Sequence, residues 1–286
     1  MSIERRALAG GVKFELVDDV VVDITGVLDR PLSPIEPLEV HTGKGNDPGR
    51  RPRQWSEVLP SVTVVIPTMN EASNLPHVLP KIPNWVTQVI IVDGNSTDDT
   101  VAVARKLLPS VDIIHQTGKG KGDAMSTGFA KATGDIIVSI DADGSMDPTE
   151  LIAYVGGLMA GADLVKGSRF AQGGGTVDME FHRKAGNRLL VWATRLMYGQ
   201  HFSDLCYGYI AFWADVLDVI EPDADGFEIE AMINARALRA KLLIAEVPSF
   251  EDRRIHGVSN LRTFRDGWRV LYTIVRERFR SVGATS

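Results

Sequence analysis

The sequence predicts an α/β fold in which helices cover both faces of a mostly parallel sheet. Short runs rich in valine and isoleucine recur from residue 61 onward, and segments with helical spacing separate them. Uninterrupted apolar runs indicate strands buried on both faces, and their alternation with helices indicates right-handed crossovers between parallel neighbours. The predicted strands are 62–66, 89–92, 111–114, 136–140 and 164–165, and the predicted helices lie near 71–79, 97–107, 121–132 and 148–159.

The first 60 residues differ in composition from the rest of the 286-residue chain. Apolar residues alternate with polar ones from Phe14 to Ile24, which predicts a short hairpin that turns near Asp18 and Asp19. Residues 29–60 are rich in proline, glycine and charge, a composition typical of a linker. We therefore expect an N-terminal β and loop extension over 1–60, followed by one large domain over 61–286.

Composition argues against several classes of protein. The net charge of -6 does not indicate a nucleic-acid binder. The single cysteine, Cys206, excludes an internal disulfide and favours a reducing compartment, and we interpret it as a small buried apolar residue. No stretch approaches the ~18 apolar residues of a membrane span, and the polar start is untypical of a signal peptide. These features predict a cytoplasmic protein.

The residues that end the predicted strands are the candidates for a functional site, because ligands of parallel sheets bind at that edge. Asp141 and Asp143 directly follow the fourth strand, and helix capping explains neither of them. Two neighbouring carboxylates are costly unless a cation or a proton neutralises them. Hard oxygen ligands suit Mg²⁺ or Mn²⁺ that bridges a diphosphate, with phosphate and water as the remaining ligands.

The neighbouring acidic residues have structural interpretations. Asp147 precedes a proline and stands three residues before Glu150, which together predict a capped helix start. Asp98 and Asp99 fall at the start of the second predicted helix, where the helix dipole favours anions. Asp93 ends its strand without a capping role, and a carboxylate there can accept a hydrogen bond from a nucleotide base.

A glycine- and lysine-rich segment, residues 118–122 (Gly-Lys-Gly-Lys-Gly), precedes the third predicted helix. The backbone N–H groups at a helix start can hold a phosphate. The segment lacks the spacing of the nucleoside-triphosphate and dinucleotide loops, however. It is therefore either a phosphate contact or a mobile loop.

Taken together, these segments resemble the family 2 glycosyltransferases. The resemblance rests on residues 65–71 (Val-Ile-Pro-Thr-Met-Asn-Glu), 92–100 (Val-Asp-Gly-Asn-Ser-Thr-Asp-Asp-Thr), 118–122 and 141–144 (Asp-Ala-Asp-Gly). Residues 167–170 (Gly-Ser-Arg-Phe) and 254–260 (Arg-Ile-His-Gly-Val-Ser-Asn) narrow it to the branch of the dolichyl- or polyprenyl-phosphate mannose and glucose synthases. The resemblance covers about residues 61–279. It implies a GT-A fold, which is a Rossmann-like mixed sheet, and an inverting transfer from a nucleotide-diphosphate sugar of the GDP-mannose or UDP-glucose type.

The resemblance also implies roles for individual residues. Contacts to the nucleotide sugar fall on Pro67, Thr68, Glu71, Asp93, Asp141, Ala142 and Asp143, of which Asp141 and Asp143 would hold the metal. Arg254 would reach the donor phosphates and stabilise the charge on the leaving group. Arg169 and Arg183 match arginines that contact the acceptor phosphate in lipid-phosphate synthases. Two departures are Asn260, where the family often has lysine, and Ser145, where some relatives have glutamine beside the metal.

The nature of the acceptor decides whether the reaction needs a base. A phosphate is already ionised and needs only cations to place it, so Arg169 and Arg183 favour a polyprenyl-phosphate-like acceptor. A hydroxyl of a soluble sugar or metabolite must lose a proton, and Asp204 or Glu230 would then be the base. A non-catalytic nucleotide-sugar binder is the remaining alternative. The presence of both Asp141 and Asp143 argues against it, because a protein without catalysis need not keep a metal site.

Two further features have two interpretations each. The last predicted helix, 261–279, carries an apolar stripe that includes Val270 and Ile274 among many arginines. Such a stripe packs on its own domain or lies on anionic lipid, which would make the protein peripheral on the inner face of the membrane. His256 is either a third metal ligand or an exposed loop residue.

Overall fold

The computed structural model describes residues 14–17, 20–23, 40–41, 59–177, 179–200, 202–257 and 262–280, and the chain divides into two units, 1–38 and 39–286. In the first unit, β1 (Phe14–Val17) and β2 (Val20–Asp23) pair antiparallel, with Val17 opposite Val20. The predicted hairpin is therefore confirmed. Its turn lies outside the described residues.

The second unit is organised around one eight-stranded sheet. Its strands are β3 (Val40–His41), β4 (Val62–Thr68), β5 (Gln88–Asp93), β6 (Asp112–His115), β7 (Ile136–Ser139), β8 (Leu164–Ser168), β10 (Ile210–Trp213) and β11 (Ile244–Pro248). Two shorter strands, β9 (Gly175–Thr176) and β12 (Phe250–Glu251), form a separate parallel pair.

The strand order in the large sheet is β3-β11-β8-β10-β7-β4-β5-β6. Parallel pairs join β4 to β5 and β7, β5 to β6, and β8 to β11. Strand β10 lies antiparallel between β7 and β8, and β3 is antiparallel to β11. Six strands therefore run in one direction, and the predicted mostly parallel mixed sheet is confirmed.

The short edge strand β3 lies in the segment whose composition predicts a linker. Its two residues, Val40 and His41, pair with Ala245 and Ile244 of β11. Two residues of backbone pairing at a sheet edge need no apolar periodicity, so composition gives no sign of them. The division of the chain into units 1–38 and 39–286 places β3 in the second unit, and the boundary after residue 60 stays a prediction.

The described helices alternate with the strands over the first half of the second unit. They are α1 (Leu75–Val78), α2 (Thr100–Leu107), α3 (Lys121–Phe129), α4 (Leu151–Met159), α5 (Phe181–Tyr198), α6 (Leu217–Ile220), α7 (Ile229–Arg239) and α8 (Thr263–Phe279). Short 3₁₀ turns at Leu79–Lys81, Pro148–Glu150 and Ala214–Val216 extend or precede three of them. None of the described helices is long and apolar enough to cross a membrane.

The central strands are buried, as their apolar runs predict, and α5 packs beside the last helix, α8. Tyr198 of α5 donates to the backbone oxygen of Ile274 in α8 at 2.8 Å. Near the same end, Arg278 donates to the backbone oxygen of Met197 at 2.9 Å. Because Val270 and Ile274 are buried, the predicted apolar stripe of α8 packs on its own domain.

Candidate active site

A cavity of about 630 Å³ lies at the edge where the parallel strands end. Most of the predicted site residues line it, namely Pro67, Thr68, Glu71, Asp141, Ala142, Asp143, Arg169, Arg183 and Arg254. Glu230 also lines it, whereas Asp93, Asp204 and His256 do not. The cavity extends from the sheet to a wall formed by α5 and α8.

At the sheet end of the cavity, Lys121 joins two carboxylates. Its Nζ lies 2.7 Å from Asp141 Oδ1 and 2.8 Å from Glu230 Oε1. Burial alone would lower the pKa of the Lys121 ammonium, but the charges of Asp141 and Glu230 outweigh it and raise that pKa. The sequence offers one signal for this role. Lys121 is the first residue of α3, where the helix dipole disfavours a cation unless carboxylates hold it.

Glycines make room for this arrangement. A Cβ on Gly208 would lie 2.7 Å from Lys121 Nζ, and a Cβ on Gly122 would lie 2.1 Å from the backbone oxygen of Ala224. The backbone N–H of Gly122 donates to the backbone oxygen of Asp225 at 2.9 Å. The glycine- and lysine-rich segment is thus packed closely against residues 224–225, and it places Lys121 beside Asp141.

Arg254 joins a second pair of carboxylates. Its Nη1 lies 2.8 Å from Glu71 Oε1 and its Nη2 lies 3.3 Å from Asp143 Oδ2. The other oxygen of Asp143 accepts hydrogen bonds from the backbone N–H (3.0 Å) and the hydroxyl (2.7 Å) of Ser145. Ser145, a departure from the family pattern, therefore orients one of the two predicted metal ligands. Asn260, the other departure, lies outside the described residues.

The two aspartates suit a divalent cation that takes part of its coordination from a diphosphate. Asp141 and Asp143 both lie in the loop that follows β7, and both line the cavity. Their side chains are 28% and 17% exposed. Among the described residues, no group of three or more histidine, cysteine or acidic side chains is arranged to hold a metal. A cation held by Asp141 and Asp143 would take its other ligands from phosphate and water, as Mg²⁺ prefers.

His256 is not placed as a third ligand. Its backbone N–H donates to Asn74 Oδ1 at 2.9 Å, and its exposed ring lies 5.9 Å from the ring of His77. This position agrees with the interpretation of His256 as a loop residue.

Asp93 is buried beside the cavity without lining it. The carboxylate accepts from the backbone N–H of Ser96 at 3.3 Å and lies 3.2 Å from His115 Nδ1. Its neighbours Gly94 and Asn95 do line the cavity. The assignment of Asp93 to a nucleotide base stays a prediction.

Arg169 reaches the cavity wall, but its guanidinium is already paired. Nε and Nη2 lie 2.6 and 3.0 Å from the two oxygens of Asp204, and Nη1 lies 3.1 Å from both oxygens of Glu251. Burial would lower the pKa of Arg169, yet Asp204 and then Glu251 raise it. Arg169 therefore fixes Glu251 at the cavity wall and has few donors left for an acceptor phosphate.

The same ion pair argues against Asp204 as a general base. Asp204 is fully buried and does not line the cavity. Both of its oxygens accept from Arg169, so an acceptor hydroxyl would have to displace that pairing. Glu230, which does line the cavity, is the better placed of the two predicted bases.

The far end of the cavity is walled by α5 and α8. The wall consists of Arg183, Gly186, Asn187 and Leu190 from α5, Asp266, Gly267 and Val270 from α8, and the neighbouring Met179 and Phe227. A Cβ on Gly186 or Gly267 would meet no atom within 4 Å, so the two helices leave open space there. Arg183 makes no ion pair with any described residue.

Cys206 corrects the expectation of a buried apolar side chain. It is exposed and lines the cavity. Although the side chain is exposed to the cavity, the protein around it desolvates the thiol, and this desolvation, together with the charge of Asp204, raises the pKa of the Cys206 thiol to about 12. The thiol is therefore neutral at physiological pH and a poor nucleophile.

Comparisons with known proteins agree with this arrangement. Residues 63–220, more than half of the chain, match the family described as Glycosyl transferase family 2. The polyprenol monophosphomannose synthase of Mycolicibacterium smegmatis is 32% identical over 240 residues, which cover 79% of this chain and 88% of that protein. The undecaprenyl-phosphate mannosyltransferase of Micrococcus luteus is 35% identical over 211 residues, which cover 68% and 85%.

A solved structure shares the fold. Glucosyl-3-phosphoglycerate synthase from Mycobacterium tuberculosis, in complex with Mn²⁺, UDP and phosphoglyceric acid, matches with a TM-score of 0.63 at 21% identity, over 86% of this chain and 88% of that chain. Another structure of the same enzyme contains Mg²⁺ and UDP. The present chain is therefore a glycosyltransferase with a GT-A fold, and it belongs to glycosyltransferase family 2, in the branch that resembles the polyprenyl-phosphate mannose synthases.

Proposed function

We propose that the protein transfers a hexose from a nucleotide-diphosphate sugar to a polyprenyl phosphate, with inversion at the anomeric carbon. The observation that carries this proposal is the division of the cavity. One end presents carboxylates and cations at the sheet edge, and the other end is an open, largely apolar wall between α5 and α8 with Arg183 on it. The relatives named for polyprenol and undecaprenyl phosphate support the same acceptor class.

The sheet end suits the donor. Asp141 and Asp143 would hold Mg²⁺ or Mn²⁺, which supplies Lewis-acid stabilisation of the charge that develops on the leaving diphosphate. Arg254, whose Nη2 lies 3.3 Å from Asp143 Oδ2, would add a fixed positive charge beside the same phosphates. Lys121 keeps Asp141 and Glu230 from repelling each other and so holds the floor of the donor site in place.

The chemical step is a single displacement. An acceptor oxygen forms a bond to the anomeric carbon while the bond from that carbon to the diphosphate oxygen breaks, and the nucleoside diphosphate leaves with the electron pair. A phosphate acceptor is already ionised and needs no base, only a cation that places it. Arg183 is the cation best situated for this, because Arg169 is paired with Asp204 and Glu251.

Transfer to a hydroxyl remains the competing candidate, and one observation favours it. Glu230 lines the cavity and is the carboxylate through which a hydroxyl acceptor would lose its proton. Its carboxylate is already paired with Lys121 Nζ at 2.8 Å, however, so an acceptor hydroxyl would have to compete with that contact.

The experiment that tests the proposal compares acceptors and donors side by side. GDP-mannose and UDP-glucose are each offered with a short, water-soluble polyprenyl phosphate or with soluble sugar hydroxyls, in the presence of Mg²⁺, Mn²⁺ or a chelator. We expect metal-dependent transfer to the lipid phosphate, and a product whose anomeric configuration, read by NMR, is opposite to that of the donor. Transfer to hydroxyls alone would overturn the proposal, and retained configuration would overturn the displacement step.

We also propose contact with the membrane surface, where a polyprenyl phosphate resides, and an inner-face location stays part of this proposal. The arginines of the C-terminal helix predict such a contact. The apolar stripe at Val270 and Ile274, which the sequence offers for it, is buried in the protein. The contact therefore has to use other residues.

A further inference from the structure

The outward sides of α5 and α8 carry a concentration of exposed apolar side chains. Eight residues form it, which we call the docking face: Phe181, Leu189, Trp192 and Leu196 on α5, and Phe264, Trp268, Tyr272 and Phe279 on α8. Their exposed fractions range from 55% for Leu189 to 87% for Phe264. On each helix they recur at spacings close to multiples of 3.6 residues, which places them along one side of that helix.

The two rows belong to one surface because the helices run side by side in the same direction. At their N-terminal ends, the rings of His182 and Phe264 stack with centroids 6.3 Å apart and an interplanar angle of 9°. At their C-terminal ends, Tyr198 donates to the backbone of Ile274 and Arg278 donates to the backbone of Met197. The aromatic side chains of α8 therefore lie next to the apolar row of α5.

The exposed charge within the two helices has a single sign, although Glu180, which directly precedes α5, is exposed and pairs with His182. Every exposed charged side chain on the described parts of the two helices is basic: Arg188 and Arg195 on α5, and Arg265, Arg276 and Arg278 on α8. The two acidic residues of these helices, Asp266 and Glu277, are buried at 8% and 0% exposure. This basic patch stands out on a chain whose net charge is -6.

We propose that the docking face binds the surface of an anionic lipid bilayer. Aromatic side chains that combine an apolar ring with a polar atom, as in Trp192, Trp268 and Tyr272, are suited to the depth of the lipid headgroups. The surrounding arginines match the phosphates of anionic lipids. A second copy of this chain is a poorer occupant, because a symmetric interface would bring the same arginines against each other.

The docking face and the cavity share two helices, because the inner sides of α5 and α8 form the cavity wall. Arg183 and Leu190 of α5 and Gly267 and Val270 of α8 line the cavity. An acceptor with a lipid tail would reach the cavity between the two helices while its tail stays in the bilayer. In this respect the inference rests on the proposed function, although the surface itself is argued from exposure and charge alone.

The test is sedimentation of the full chain with vesicles of phosphatidylglycerol and phosphatidylcholine, without any nucleotide sugar. We expect the double variant Trp192→Gln/Trp268→Gln to bind about tenfold more weakly than the original protein, because it removes two ring systems from the interface. The matched control is Trp85→Gln/Ile152→Gln, which removes exposed apolar side chains outside α5 and α8 and should bind like the original. Circular dichroism melting curves verify that each variant is folded.

A second pair of variants tests the charge. Arg188→Gln/Arg265→Gln should weaken binding to the anionic vesicles, and added salt should reduce the difference from the original protein. Equal binding of the tryptophan variant and the original, or equal binding to vesicles of phosphatidylcholine alone, would overturn the proposal.

Failure of this inference is distinguishable from failure of the proposed function. Transfer to the short, water-soluble polyprenyl phosphate is measured without vesicles. If the protein transfers sugar to this soluble acceptor but does not sediment with vesicles, only the docking proposal is wrong. If the protein sediments with vesicles but transfers no sugar, the proposed function is wrong and the docking proposal still holds.

Discussion

The two ends of the cavity differ in how their side chains are held. At the sheet edge, Lys121 and Arg254 each contact two carboxylates at 2.7–3.3 Å, and Ser145 fixes the other side of Asp143. Between α5 and α8, the wall is largely apolar and contains glycines with open space beside them, and Arg183 makes no ion pair with a described residue.

This difference follows from what each end would bind. A diphosphate and a divalent cation carry concentrated charge, and preorganised charges around them cost no reorganisation when the reaction occurs. A polyprenyl chain offers only apolar surface and many conformers, so an open wall accommodates it without a defined hydrogen-bond partner. Under the proposed function, fixed ion pairs mark the donor end and open space marks the acceptor end.

The largest effect is expected at the donor end. Asp143→Ala removes one of the two carboxylates that would hold the metal, and transfer should fall by about 10³-fold, equivalent to ~4 kcal/mol of transition-state stabilisation. The measurement is kcat/KM for sugar transfer as a function of Mn²⁺ concentration. Asp147→Ala is the matched control, because Asp147 caps a 3₁₀ turn and does not line the cavity. Undiminished activity in Asp143→Ala would refute the metal assignment.

An intermediate effect is expected at Lys121. Lys121→Met leaves the carboxylates of Asp141 and Glu230 without their shared cation, and the donor site should lose its geometry. We expect kcat/KM to fall by about 100-fold. Lys119→Met is the control from the same segment, since Lys119 also lines the cavity but forms no ion pair with a described residue. Similar losses in both variants would contradict this role of Lys121. They would show that residues 118–122 contribute only positive charge to the cavity, and that the pairing of Lys121 with Asp141 and Glu230 is not required.

The smallest effect on activity, and the sharpest contrast, is expected between two arginines that the sequence treats alike. Arg183→Gln should raise KM for the polyprenyl phosphate about tenfold and leave the free energy of unfolding almost unchanged. Arg169→Gln leaves Asp204 buried without its cation and should destabilise the fold by about 3 kcal/mol or more, measured by denaturant titration. If Arg183→Gln destabilises the protein while its KM stays the same, the assignment of the acceptor end is wrong.

The sequence contains enough local signal to predict the sheet and the donor end. Apolar runs identify buried strands because their side chains face helices on both sides, and the ends of those strands fall at one edge. Asp141 and Asp143 stand out there because capping accounts for neither of them. These signals come from residues that are close together in the sequence, and the structure confirms the fold that they predict.

The parts that the sequence does not reveal depend on partners far along the chain. Arg169 is separated from Asp204 by 35 positions and from Glu251 by 82, so its motif does not show that its donors are already used. Glu150 is a similar case. Its spacing from Asp147 predicts a capping box, but its carboxylate accepts from the hydroxyl of Ser249 and from the backbone N–H of Phe250 at 3.1 Å.

The pairing of α5 with α8 gives each helix two working sides, one toward the cavity and one toward solvent. Successive residues of a helix are rotated by about 100° around its axis, so each position of α5 faces either the cavity or solvent, and both sets of positions follow the same helical repeat. A substitution on one side leaves the other side in place. An inserted or deleted residue near Asn187, by contrast, would turn Leu190, Trp192 and Leu196 together and misalign both sides. These two helices should therefore vary in residue type across relatives much more readily than in length.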